Sequence, residues 1–95
     1  MNDYINNEIV MLDPETMDPI AIFDKVVTAV KYLYGNECNT KKYISPISAV
    51  LRGAINTYLG YTFTYVSYFT HKPDKLKGIK KYKLNDMREV ISYEG

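Results

Sequence analysis

The chain has 95 residues, is 46% hydrophobic and 24% charged, and carries a net charge of +1. This supplies enough apolar material for one modest core and too much for a disordered chain. A membrane-spanning helix is excluded, because no apolar run approaches the ~18 residues it needs, and with Cys38 as the single cysteine so is an intrachain disulfide.

The first residues, MNDYINNE, are polar and acidic, unlike a secretory signal. Residues 8–12 (EIVML) form an apolar run of strand length. Two Asp-Pro pairs in residues 13–19 resist helix and mark a turn, and residues 20–23 are again apolar. These features predict an antiparallel hairpin. Asp13, Glu15 and Asp18 lack the glycine and final glutamate of a calcium loop and read as turn residues.

Asp24 has the chemistry of an N-cap. Val26, Ala29, Val30 and Leu33 follow at helical spacing, and Gly35-Asn36 is a suitable stop, so a helix is expected over residues 25–34. Residues 36–44 are polar and basic. Ser45 as N-cap and Pro46 at the first helical position predict a second helix that ends at Gly53 and turns Ile47, Val50 and Leu51 to the core. Gly60 suits a turn, and residues 61–69 alternate threonine with aromatics as a third strand does. On it Tyr61, Phe63 and Tyr65 share one face, and Thr62, Thr64 and Val66 the other.

Residues 70–83 read as a basic linker. Leu84, Met87, Val90 and Ile91 recur at roughly helical spacing, with Asn85 or Asp86 as cap, so a final helix is expected. The expected fold is α+β: a small antiparallel sheet of about three strands packed on two or three helices, in the order β-β-α-α-β-α, helix-turn-helix-like. Residues 1–69 make the core of this single domain, and residues 70–95 the linker and last helix.

Charge is divided unevenly. Residues 1–40 hold seven acids and two bases, a balance of −5, and residues 41–95 hold ten bases and four acids, a balance of +6. Such a split can present a basic face to an anion. Lys72, Lys75, Lys77, Lys80, Lys81 and Lys83 fall within twelve residues and read as an anion-binding arm or as a solvated stretch. Tyr58, Tyr61, Tyr65 and Tyr68 suit either sheet packing or base stacking, and ten tyrosines favour an interface, a homodimer included. His71 has no nucleophile or carboxylate partner in sequence, and one Cys with one His is too few ligands for zinc. Neither an enzyme nor a cofactor is expected.

Three segments in order resemble the intron-encoded nuclease repeat motif, a nuclease-associated modular domain found beside phage homing endonucleases. Residues 23–33 (FDKVVTAVKYL) are similar to its first helix, residues 47–53 (ISAVLRG) to its second, and residues 56–65 (NTYLGYTFTY) to its strand. The likeness covers about residues 8–66. It implies a phage-type DNA-binding module or regulator, standing without a nuclease, in the cytoplasm of a bacterial host. The second helix is the family's reading helix, which implies that Ser45, Ser48, Ala49 and Arg52 face double-stranded DNA. Lys41 and Lys42, just before it, are placed to bind backbone phosphate. The turn after Gly53 carries no charge (Ala54-Ile55-Asn56-Thr57), so a second class of partner stays open: a host protein such as a CRISPR effector nuclease, which the chain would inhibit.

Overall fold

In the computed structural model, which describes residues 8–69 and 71–93, the chain builds one five-stranded mixed sheet with two α-helices. β1 (Ile9–Leu12) and β2 (Pro19–Phe23) form the expected antiparallel hairpin. Pro19 opens β2, where a missing N–H is tolerated, and the register slips by a bulge between Met11 and Leu12. In the connecting turn the Asp13 carboxylate accepts the Glu15 and Thr16 amides at 2.8 and 3.4 Å, as a turn residue does.

The sheet order is β3-β1-β2-β4-β5, with β3 at Thr62–Tyr65, β4 at Lys81–Leu84 and β5 at Val90–Tyr93. β1–β3 and β4–β5 are antiparallel, and β2–β4 is parallel. This corrects the expected three-stranded antiparallel sheet and the β-β-α-α-β-α order. The final helix is instead the β4–β5 hairpin. Its turn is set by Asn85, whose side-chain oxygen accepts the Met87 and Glu89 amides, both at 2.9 Å, while Arg88 takes a positive φ of 61°. That local bonding competes with a helical start at the same residues.

α1 (Val26–Tyr34) matches the expected helix closely. Gly35 ends it with φ 104°, its amide bonded to the Lys31 carbonyl at 2.8 Å. Asp24 plays a different part from the expected cap: the cap position is Lys25, and the Asp24 carboxylate accepts the hydroxyl of buried Thr28. α2 (Thr40–Leu51) begins five residues before Ser45 and holds Pro46 in its interior. The reason is tertiary. Tyr43 stacks on Tyr34 with ring centroids 4.0 Å apart, and Tyr43 and Ile44 pack against the core, so the early turn earns its place by packing. Gly53 ends α2 as expected, with φ 82°.

The core lies on both faces of the sheet. On one, Ile9, Met11, Phe23 and Phe63 meet Ala29, Val30, Ile47 and Val50 of the helices. On the other, Val10, Leu12, Ile22 and Phe69 are covered by Val66, Leu76 and Ile79. These last belong to a strap, residues 66–69 and 71–80, with 3₁₀ turns at Val66–Phe69 and Pro73–Leu76, between β3 and β4. The basic stretch expected as a linker is therefore part of the fold. Each fully buried aliphatic or aromatic side chain contributes about 1.5–3 kcal/mol.

Pro46 leaves the Lys42 carbonyl of α2 without its usual donor four residues on. Pro46→Ala restores that donor and should raise stability by about 1–3 kcal/mol. Urea denaturation measures it, and an unchanged or lower midpoint counts against this account of the helix.

Candidate functional site

α2 sets out the sequence-predicted residues at helical spacing. Lys41, Ser45, Ser48 and Arg52 are four, three and four residues apart, which puts them on one stripe. Ile47 and Val50, nearly opposite, are buried. Lys41, Lys42, Ser45 and Arg52 are exposed, and Ser48 and Ala49 are half-buried. Lys41 and Lys42 stand within the first turn of α2, not before the helix as expected. The stripe is about 16 Å long at ~1.5 Å per residue. α2 contains no acidic residue, and the Arg52 guanidinium has no ion pair among the described residues.

Three tyrosines hold this helix in place. Tyr34 at the end of α1 stacks on Tyr43 of α2, and its hydroxyl bonds that of Tyr58 in the loop before β3. Tyr58 pairs with Tyr61 across a two-residue turn whose central residues, Leu59 and Gly60, both have positive φ (57° and 82°), as a type I′ turn requires. The Lys42 ammonium lies 5.6 Å from the Tyr43 ring centroid. The Tyr34 hydroxyl is pushed up from 10.0 to about 12, first by the bond to Tyr58 and then by burial.

The later lysines lie elsewhere. Lys72, Lys75 and Lys77 are exposed along the strap, and Lys77 pairs with Asp74 at 3.3 Å. Lys80 and Lys81 stand at the entry to β4 and line, with Leu76, Ile79 and Tyr93, a groove of about 660 Å³. A smaller recess of about 160 Å³ shares Leu76 and Lys81 and runs on to Glu8, Ile22 and Val66. The Lys83 ammonium lies 4.9 Å from the Tyr93 ring centroid. Burial, and then the neighbouring Glu8 and Asp24 carboxylates, raise the Tyr93 hydroxyl above its ordinary range.

The two basic sets thus occupy opposite faces of the sheet. α2 packs on the face of Ile9, Met11 and Phe23, and the groove is on the face of Val10 and Ile22. The four strand tyrosines do not form one platform either. Tyr58 and Tyr61 pack against the core, while Tyr65 and Tyr68 are exposed beyond it. Glu8, Leu76, Ile79 and Tyr93 of the groove were not singled out from the sequence. Alternation in KYKL and VISY about an Asn-Asp turn is the signal that points to Tyr93, and no local pattern marks the other three. Among the described residues, no three His, Cys, Asp or Glu side chains are grouped to hold a metal ion, and no helix is long and apolar enough to cross a membrane. No protein-family model, curated protein or solved structure matches the chain.

A raised tyrosine pKa means the folded state holds the proton more tightly. The stabilisation from Tyr34 is therefore intact below pH 10.0 and lost as pH rises through about 12. The urea midpoint should fall across that window, and less steeply in Tyr34→Phe, which has no hydroxyl to ionise. Equal slopes in the two proteins count against the Tyr34–Tyr58 bond as the cause.

Proposed function

We propose that the protein is a non-enzymatic DNA-binding module, of phage type and regulatory in role, that lays the outer stripe of α2 against duplex DNA. The carrying observation is the placement of Lys41 and Lys42. A helix N-terminus is already positive, and a cation there costs about 0.3–1 kcal/mol. The first turn of α2 contains no acid to offset it. An anionic partner gives this charge a use, because a helix N-terminus and two ammonium groups together suit a phosphate. Further along the stripe, the Ser45 and Ser48 hydroxyls suit phosphate or base-edge contacts, and Arg52 is free for a bidentate pair with guanine. Ala49 adds apolar contact. The likeness of residues 47–53 to the reading helix of the nuclease-associated module supports the same assignment.

One observation favours a second reading, a host protein such as a CRISPR effector nuclease as partner. From Gly53 to Leu59 the chain is uncharged, and Ile55 (41%) and Leu59 (52%) are exposed. Apolar side chains beside a basic stripe suit a protein surface better than a phosphate backbone.

Gel-shift titration of duplex DNA at ~50 mM salt tests the proposal, with micromolar binding expected. Arg52→Ala should weaken binding about 10-fold, and Lys41→Gln with Lys42→Gln should lower the salt slope by roughly 2. Absence of binding at tens of micromolar protein overturns the DNA reading. Loss of a host-protein complex in Ile55→Asp, with no DNA shift in the unaltered protein, selects the second.

A further inference from the structure

We propose that one end of the sheet is a docking surface for a protein that presents apolar side chains flanked by Lys or Arg. Leu12 marks this end. It pairs with Pro19 on one side and with Thr62 on the other, so the β1–β2 turn and the Tyr58–Tyr61 turn stand side by side. Three backbone irregularities fall there, and each turns an apolar side chain towards water. Met17 closes the first turn with φ 62°. Ile20 is the extra residue of the β-bulge, opposite no residue of β1. Leu59 takes φ 57° in the type I′ turn, at a position that asparagine, aspartate or glycine fills without strain. All three side chains are between 41% and 52% exposed.

A bulky residue in the left-handed region is strained, and an exposed apolar side chain gains nothing from water. Met17 and Leu59 carry both costs. Local rules broken together at one place mark a functional surface. Arg88, the other non-glycine residue with positive φ among the described residues, stands at the opposite end of the sheet, and the fold accounts for it. Its carbonyl accepts the Lys31 ammonium, and its side chain is charged and exposed. Leu59 is also held still. Tyr58 and Tyr61 bond each other's backbone at 2.8 and 3.0 Å on either side of it, and the Tyr58 hydroxyl is bonded to Tyr34. A preformed anchor loses little freedom on binding. Charge then names the partner. Residues 13–20 hold Asp13, Glu15 and Asp18 and no base, and residues 58–62 hold no charge. None of the three carboxylates closes an ion pair among the described residues. Lys80, which enters the sheet at this end, acts with its charge on Tyr32 of α1. Apolar anchors beside unpaired carboxylates complement apolar side chains set among bases. The surface uses no residue of the α2 stripe, so it stands or falls apart from the DNA reading.

A synthetic amphipathic peptide of Leu and Lys is the probe, and one of Leu and Glu in the same pattern is its control. NMR titration of the full chain should show saturable binding of the Lys peptide alone, with amide shifts centred on residues 13–20 and 58–62. Met17→Asn with Leu59→Asn should weaken that binding by roughly tenfold or more. Each of the two substitutions should nevertheless raise the urea midpoint, because asparagine tolerates the left-handed region. Lys41→Gln and Arg52→Ala should leave peptide binding unchanged while weakening any DNA shift. A lower midpoint in either Asn variant shows that the side chain serves the fold itself and overturns the proposal. So does equal binding of the two peptides, or binding that the Asn pair leaves intact. Self-association by sedimentation that the Asn pair abolishes gives the surface to a second copy of this chain and overturns the basic partner.

Discussion

Burial of β1 on both faces is the constraint from which the rest follows. Ile9, Val10, Met11 and Leu12 are consecutive and all at most 1% exposed. Strand side chains alternate, so two of the four point to each side of the sheet. A single helical layer can cover only half of them. The second cover is the strap, which sets Phe69, Leu76 and Ile79 against Val10, Leu12 and Ile22. Because the strap passes beneath β1 and β2, it delivers the chain beyond β2, where β4 pairs in parallel. The sheet order, the burial of Ile22 and the existence of the groove all descend from one four-residue apolar run.

Much of the first half was legible because its signals were local. Asp-Pro punctuation, the Val26-Ala29-Val30-Leu33 stripe and the glycines at 35, 53 and 60 each act within a few residues. The errors arise where distant packing decides. Ser45-Pro46 carries a sound helix-start signal, yet α2 begins at Thr40, because Tyr43 finds Tyr34 and Ile44 finds the core. Leu84, Met87, Val90 and Ile91 have helical spacing, but Asn85 holds two amides in a turn, and β2 offers β4 an edge to pair with. A short segment with two periods in it takes the one its surroundings reward.

The candidate surfaces show the same division. Lys41, Ser45, Ser48 and Arg52 fall on one stripe, as the spacing within a helix dictates. The six later lysines looked like one arm because they are dense in sequence, but the fold disperses them: three along the strap and three on β4 or at its entry. Glu8 and Tyr93 stand 85 positions apart in the chain and come together through three strand pairings, of which the parallel β2–β4 pairing is announced by no local pattern. The uneven charge of the two halves does not become one basic and one acidic side of the molecule. It becomes two basic regions separated by the thickness of the sheet.

The parallel β2–β4 ladder has a further consequence. It joins strands remote in sequence and comprises two residue pairs, Ile22–Lys81 and Phe23–Tyr82. Around it the hairpin is tied to α1 by the Asn36 side chain on the Val90 amide at 2.9 Å and by the Lys31 ammonium on the Arg88 carbonyl at 2.5 Å. A unit attached by so few long-range bonds is a natural candidate for sub-global opening, in which one cooperative piece detaches while the rest stays folded. Detachment of β4–β5 removes Lys81 and Tyr93 from the groove and bares the edge of β2. The helices, β1 and β3 keep their mutual packing, and the α2 stripe keeps its shape. The groove and the helix face thus rest on parts of one small fold with different lifetimes. A ligand that closes the groove would lengthen the shorter one.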